Sequence, residues 1–140
     1  MLSYFQSVLK KILSNSIFTL VGKCYRTIKY FGFLFKCPIC GFYFREFLPF
    51  GLIKRPNAQC PMCLSLERHR MIWLYMKNKT KLFIDKLIVL HFAAEKCISD
   101  KLKNLSNIEY ITTDLDPLKK ADIIMDITNI WLDNNSIDVI

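Results

Sequence analysis

The apolar positions of this chain follow different periods in its two halves. Across residues 2–20, Leu2, Phe5, Val8, Leu9, Ile12, Leu13 and Ile17 recur at spacings of three and four, which predicts an amphipathic helix with Lys10, Lys11 and Ser14 off its apolar face. A basic and aromatic stretch follows from Lys23 to Lys36, with Tyr25, Tyr30, Phe31, Phe33 and Phe35. Between Cys37 and Cys63 the periodicity gives way to Pro, Gly and aromatic residues, which read as two tight turns joined by a short hairpin. Ser65 then has the chemistry of an N-cap, with Glu67 in the first turn of a helix running to about Lys77 through Leu66, Met71, Ile72, Leu74 and Tyr75.

Beyond Lys81 strands and helices alternate. The continuous apolar run 87–90 predicts a strand buried on both faces, and 95–104 a helix. Residues 108–113 and 121–125 predict a second and a third strand, and 137–140 the start of a fourth. This order implies a parallel sheet with crossovers. The expected organisation is a basic amphipathic segment over 1–36, a ribbon module over 37–64, a linking helix over 65–80 and part of an α/β domain over 81–140.

Length and charge narrow the picture. A chain of 140 residues holds one ordinary domain, or a small module with part of a larger one. Of its formal charge of +8, residues 1–36 supply six cations and no carboxylate, leaving fourteen cations against twelve carboxylates elsewhere. A nucleic-acid partner for the whole chain therefore loses support. For the N-terminal segment two readings stay open: an interfacial helix resting on anionic lipid at the inner membrane face, or a helix packed on the rest of the protein. The apolar stretch 12–21 is interrupted by Ser14, Asn15 and Ser16 and is shorter than the roughly 20 residues of a membrane span. Without an export signal ahead of the cysteines, the expected compartment is cytoplasmic and reducing.

Four of the six cysteines form two Cys-x-x-Cys pairs, Cys37/Cys40 and Cys60/Cys63, with 19 residues between them. Each pair can supply two corners of a tetrahedron, and two pairs close the shell of a structural zinc ion. Gly41 suits a turn that needs a positive φ. A redox dithiol needs only one pair, and an iron–sulfur cluster is less typical of so small a hairpin. Cys24 and Cys97 stand alone and read as small buried apolar residues.

In an open parallel sheet the ligand binds beyond the carboxyl ends of the strands. The residues there are His91, Ala93, Ala94 and Glu95 after the first strand, Asp114 after the second, and Asp126 with Ile127 after the third. Small alanines admit a ligand to the backbone, Asp114 can accept from both hydroxyls of a ribose, and Asp126 from an adenine amino group. Each of these residues taken alone reads equally as a cap, a turn residue or a structural group.

Cys37-Pro-Ile-Cys40, Phe47-Leu-Pro-Phe-Gly51, Cys60-Pro-Met-Cys-Leu-Ser-Leu-Glu-Arg-His-Arg70, Leu90-His-Phe-Ala-Ala-Glu95, Tyr110-Ile-Thr-Thr-Asp-Leu-Asp-Pro117 and Asp126-Ile-Thr-Asn-Ile130 together resemble a bacterial group of class I S-adenosylmethionine-dependent methyltransferases with an N-terminal zinc ribbon. The resemblance covers roughly residues 35–140. It implies an α/β fold: an N-terminal helix, a zinc ribbon, then the first half of a Rossmann-like methyltransferase sheet. It implies S-adenosylmethionine and zinc as cofactors and a small-molecule, glycan or secondary-metabolite acceptor. By the same resemblance His91 through Glu95 correspond to the cofactor loop, Asp114 to the ribose carboxylate, and Asp126 with Ile127 to the adenine grip. Arg68, His69 and Arg70 are candidates for the cofactor carboxylate or an anionic acceptor.

Two departures stand out. The cofactor loop has no glycine, and the family continues through several strands past the point corresponding to Ile140, where most of its acceptor pocket lies. The chain is thus expected to be an N-terminal fragment, inactive alone, with no catalytic base to name. The alternative is a non-enzymatic zinc-ribbon module that binds protein or nucleic acid.

Overall fold

The computed structural model describes residues 15–140, which fold as a mixture of three helices and small sheets and divide after Glu67 into two compact units. Most of the helix expected over 2–20 lies outside the described residues. What is described is α1, Asn15–Lys29, which extends well past the expected end and takes in Lys23 and Arg26. No proline interrupts it, and Arg26 and Lys29 fall in its last turn, where cations favour the negative end of the helix dipole. Among the described residues no helix is long and apolar enough to cross a membrane.

In the first unit, β1 (Phe31–Lys36) pairs antiparallel with β2 (Tyr43–Phe44), and β3 (Leu48–Phe50) with β4 (Arg55–Gln59). The hairpin therefore begins six residues ahead of Cys37, inside the basic segment expected over 1–36. The alternating aromatics of that stretch fit a strand better than a helix end. Phe44, fully buried, faces Phe47 at 5.9 Å, and Phe35 faces Phe47 at 5.7 Å, so a small aromatic core lies under the two turns. The Arg26 Nε donates to the Pro61 carbonyl at 3.3 Å, and Thr27 Oγ1 lies 3.4 Å from Met62 Sδ. These contacts tie the last turn of α1 to the second Cys-x-x-Cys turn.

Phe44 pairs with both Phe31 and Phe35, so the intervening residues bulge. A Cβ on Gly32 would come within 2.6 Å of Arg45 Cβ and 2.7 Å of Arg45 N. Arg45 N is itself committed to the Tyr30 carbonyl at 3.0 Å and cannot retreat freely. Gly32→Ala should therefore destabilise the first unit by about 1–3 kcal/mol, the cost of overpacking, read as a lower denaturation midpoint. An unchanged midpoint would show that the bulge yields.

The second unit contains α2 (Glu67–Lys79, its first residue just ahead of the division), β5 (Leu87–Phe92), α3 (Lys96–Leu102), β6 (Ile108–Asp114), a 3-10 turn (Pro117–Lys119) and β7 (Ile123–Ile124). β5, β6 and β7 form a three-stranded parallel sheet in that order. Val139 makes a parallel bridge to Val89 on the other edge of β5, with Leu90 N donating to the Val139 carbonyl at 2.9 Å and Ile88 N to the Asp138 carboxylate at 2.8 Å. In chain order the parallel segments thus lie 3-2-1-4. β5 is the inner strand, paired on both edges, and its central residues Val89 and Leu90 are buried. Val89, Leu90, Ile98, Leu102 and Met125 form the core.

The face of α2 buried is that of His69 and Trp73, four residues apart, with the Trp73 ring edge-on to Phe83 at 5.3 Å. Met71, Ile72, Leu74 and Tyr75, expected as its apolar stripe, are exposed. Consecutive apolar residues cannot all share one helical face.

Candidate metal centre and strand-end cavity

The two Cys-x-x-Cys turns are near copies of one another. Gly41 N donates to the Cys37 carbonyl at 2.8 Å and Cys37 N to the Phe42 carbonyl at 3.0 Å; Leu64 N donates to the Cys60 carbonyl at 3.0 Å and Cys60 N to the Ser65 carbonyl at 2.9 Å. The position after each pair is left-handed, Gly41 at φ 78° and Leu64 at φ 59°. Leucine there is costly, of order 1–2 kcal/mol, so the turn is held by something other than local preference.

Four sulfurs converge: those of Cys37, Cys40, Cys60 and Cys63 all lie within 4.8 Å of one another and can hold a metal ion. Cys37 Sγ is 3.7 Å from Cys63 Sγ, and Cys40 Sγ 3.7 Å from Cys60 Sγ. A zinc tetrathiolate with bonds of about 2.3 Å has sulfur–sulfur edges of about 3.8 Å, so the spacing suits zinc. Cys37 and Cys60 are buried, Cys40 and Cys63 half-buried.

Charge leads to the same requirement. Hydrogen bonds from Cys40, then Cys60 and Cys63, hold the Cys37 thiol far below its usual value. Cys63 stands at about 6, pushed up by Cys37 and pulled down by Cys40 and Cys60. Cys40 is driven far up, first by Cys37, and Cys60 by Cys37, Cys40 and Cys63 in that order. Two sulfurs ionise readily and two resist, so four thiolates need a cation among them. Ser65, expected as a helix cap, is fully buried with its hydroxyl 3.2 Å from the Cys63 sulfur and 3.6 Å from that of Cys37. That role was invisible in the sequence, since Ser before a helix is an ordinary capping signal.

In the second unit a cavity of about 230 Å³ opens at the carboxyl ends of β5 and β6, lined in part by Ala93, Ala94, Thr113, Asp114, Lys119 and Lys120. Ala93 turns at φ 48°, its N donating to the Thr113 carbonyl at 2.8 Å. Asp114 Oδ1 accepts from Asp116 N at 3.0 Å and Oδ2 lies 3.7 Å from Lys119 Nζ. Thr113 is buried at the cavity, and its hydroxyl has no hydrogen-bond partner among the described residues. Asp122, which carries no signal in the sequence, staples this end of the sheet by accepting from Thr112 Oγ1 and N; these bonds hold its carboxyl below the usual range.

Of the six residues expected to touch a cofactor, Ala93 and Asp114 line this cavity. Asp126 and Ile127 are exposed and outside its lining; the Asp126 carboxylate accepts from Thr128 N and Oγ1 at 2.8 Å, first the backbone and then the side-chain bond lowering its pKa. His91 and Glu95 belong to another group. Glu95 Oε2 is 3.6 Å from His91 Nε2 and Oε1 is 3.2 Å from His69 Nε2. His91 Nδ1 is 2.7 Å from Tyr110 Oη, and His69 Nδ1 is 3.4 Å from Cys97 Sγ. Burial pushes the His91 pKa down against the opposing pull of Glu95, so its imidazole is neutral at neutral pH.

Cys97, expected as a buried apolar residue, is half-buried beside an imidazole, and Cys24, given the same expectation, is exposed. The four-residue spacing of His91 and Glu95 was the available signal for this group. The parts contributed by His69 and Cys97 are long-range and carried none. No family model matches the chain, and neither does any curated protein or solved structure.

Proposed function

We propose that the chain belongs to the class I S-adenosylmethionine-dependent methyltransferases, with a Rossmann-like sheet that follows, in sequence, a ribbon held by structural zinc. The observation that carries this reading is the 3-2-1-4 order of parallel segments, with a cavity at the carboxyl ends of β5 and β6. Doubly wound sheets take nucleotide-like ligands beyond the carboxyl ends of their strands, which is where this cavity lies. Small Ala93 and Ala94 leave room for an adenosine, the spare lone pairs of Asp114 suit ribose hydroxyls, the Thr113 hydroxyl supplies a further polar contact, and the nearby lysines suit a carboxylate. The bound cofactor would supply an already activated methyl group, so the task left to the protein is alignment with an acceptor.

Zinc in the tetrathiolate shell would have no open coordination position and would hold structure alone. Calorimetric titration of the chain with S-adenosylmethionine should give binding that Asp114→Ala weakens by about 1.5–3 kcal/mol, the worth of hydrogen bonds to a charged group. Equal affinity in the variant would remove Asp114 from the site, and no heat at millimolar cofactor in a folded chain would count against the cofactor.

A non-enzymatic zinc-ribbon binding module is the second reading. It draws on the exposure of Phe33, Leu34, Leu52 and Ile53 on the ribbon, an apolar surface better matched to a protein than to nucleic acid.

A further inference from the structure

The group around Glu95 has a chemistry that methyl transfer does not use. Four elements and the turn before α3 contribute: His69 from α2, His91 from β5, Tyr110 from β6, Cys97 from α3, and Glu95 between β5 and α3. A carboxylate only accepts, so with Nε2 turned to a Glu95 oxygen at 3.2 Å in His69 and 3.6 Å in His91 each ring is assigned the Nε2–H tautomer, although at His69 the alignment falls short of a hydrogen bond. Both Nδ1 atoms are then lone pairs. That of His91 meets the Tyr110 hydroxyl at 2.7 Å, and that of His69 meets the Cys97 thiol at 3.4 Å. A thiol, the lone pair of a buried imidazole and a carboxylate fixing the tautomer are the parts of an activated sulfur nucleophile.

We propose that Cys97 is a reactive thiol, activated by His69 and Glu95, and that it is the site at which this protein is modified by low-molecular-weight disulfides. Cys97 passes its proton to His69 Nδ1, and the resulting imidazolium is held by Glu95. The thiolate attacks one sulfur of R–S–S–R. A bond forms between Cys97 Sγ and that sulfur, the R–S–S–R bond breaks, and the departing RS⁻ takes the proton from His69 and leaves as RSH. His91 stays neutral and returns the other Glu95 oxygen to Tyr110 through its ring, so the carboxylate charge is available to His69. Cys24 is exposed and is the internal comparison, and the remaining four cysteines are occupied as metal ligands in the loaded chain.

The test is the rate of mixed-disulfide formation with dithiobis(nitrobenzoate) on the zinc-loaded chain at pH 7, assigned to each cysteine by peptide mass mapping. Cys97 should react at least tenfold faster than Cys24 despite its lower exposure, and His69→Gln and Glu95→Gln should each slow it about tenfold without changing Cys24. A wild-type rate at or below that of Cys24, or no slowing in either variant, overturns the proposal. The pH profile of iodoacetamide alkylation in the unmodified sequence keeps the test independent of how the variants fold. Cys97 should keep its reactivity to lower pH than Cys24, and coincident profiles would overturn the assignment.

Discussion

Removing metal from Cys37, Cys40, Cys60 and Cys63 should unfold the ribbon. Its core is little more than Phe44, Phe47, Ile39, Ala58 and Leu66 around the sulfurs, too little apolar surface to hold so many turns. One of those turns also carries Leu64 in a left-handed conformation. A closed structural zinc supplies folding free energy directly, about 10–16 kcal/mol in zinc-finger peptides. A chelator should therefore abolish the hairpin, Cys60→Ser should do the same in the presence of metal, and metal analysis should find one zinc per chain. Iron at that stoichiometry, or a ribbon that stays folded without metal, would refute the assignment.

The same centre predicts a pH dependence with a definite sign. A ribbon that unfolds without metal starts from ordinary cysteine thiols, which titrate at about 8.5. All four must lose their protons to bind, so zinc uptake near pH 7.5 should release between about three and four protons and weaken steeply as pH falls. The linkage runs in one direction: binding requires thiolates, so the stabilisation is present at high pH and lost toward low pH. Uptake without proton release would show that the four sulfurs are not the ligands.

The metal centre was legible because its ligands come in two local pairs, each encoding its own turn. The parallel segments were legible for a similar reason: unbroken apolar runs such as 87–90 admit few alternatives. What the sequence did not reveal depends on residues far apart in the chain. Glu95 reads as a loop acid, and only the fold brings it between His69 and His91. Asp126 reads as a ligand carboxylate because it follows a strand, yet its bonds go to Thr128 two residues on, a local competition that aspartate readily wins. The aromatics of 31–36 carried two compatible patterns, and pairing with Tyr43 and Phe44 decided for the strand.

Leu90→Ala should be the most damaging single truncation in the second unit. Leu90 is 0% exposed in the middle of β5, opposite Ile111 of β6, while its backbone N–H donates to Val139 on the other edge. Deleting its branched end leaves a cavity that neighbours pinned on both sides cannot close, so the loss should be about 2–5 kcal/mol. A whole domain has only about 5–15 kcal/mol to lose. Leu52→Ala is the control, because Leu52 is as apolar in sequence but 107% exposed, and truncation there should stay within about 0.5 kcal/mol. Urea denaturation followed by circular dichroism reads both. Equal losses would mean that Leu90 is not in a packed core. A loss confined to Leu90 would tie the stability of this unit to the strand that leads into His91 and the Ala93 turn, so Leu90→Ala should also reduce any ligand binding in the cavity without touching its lining.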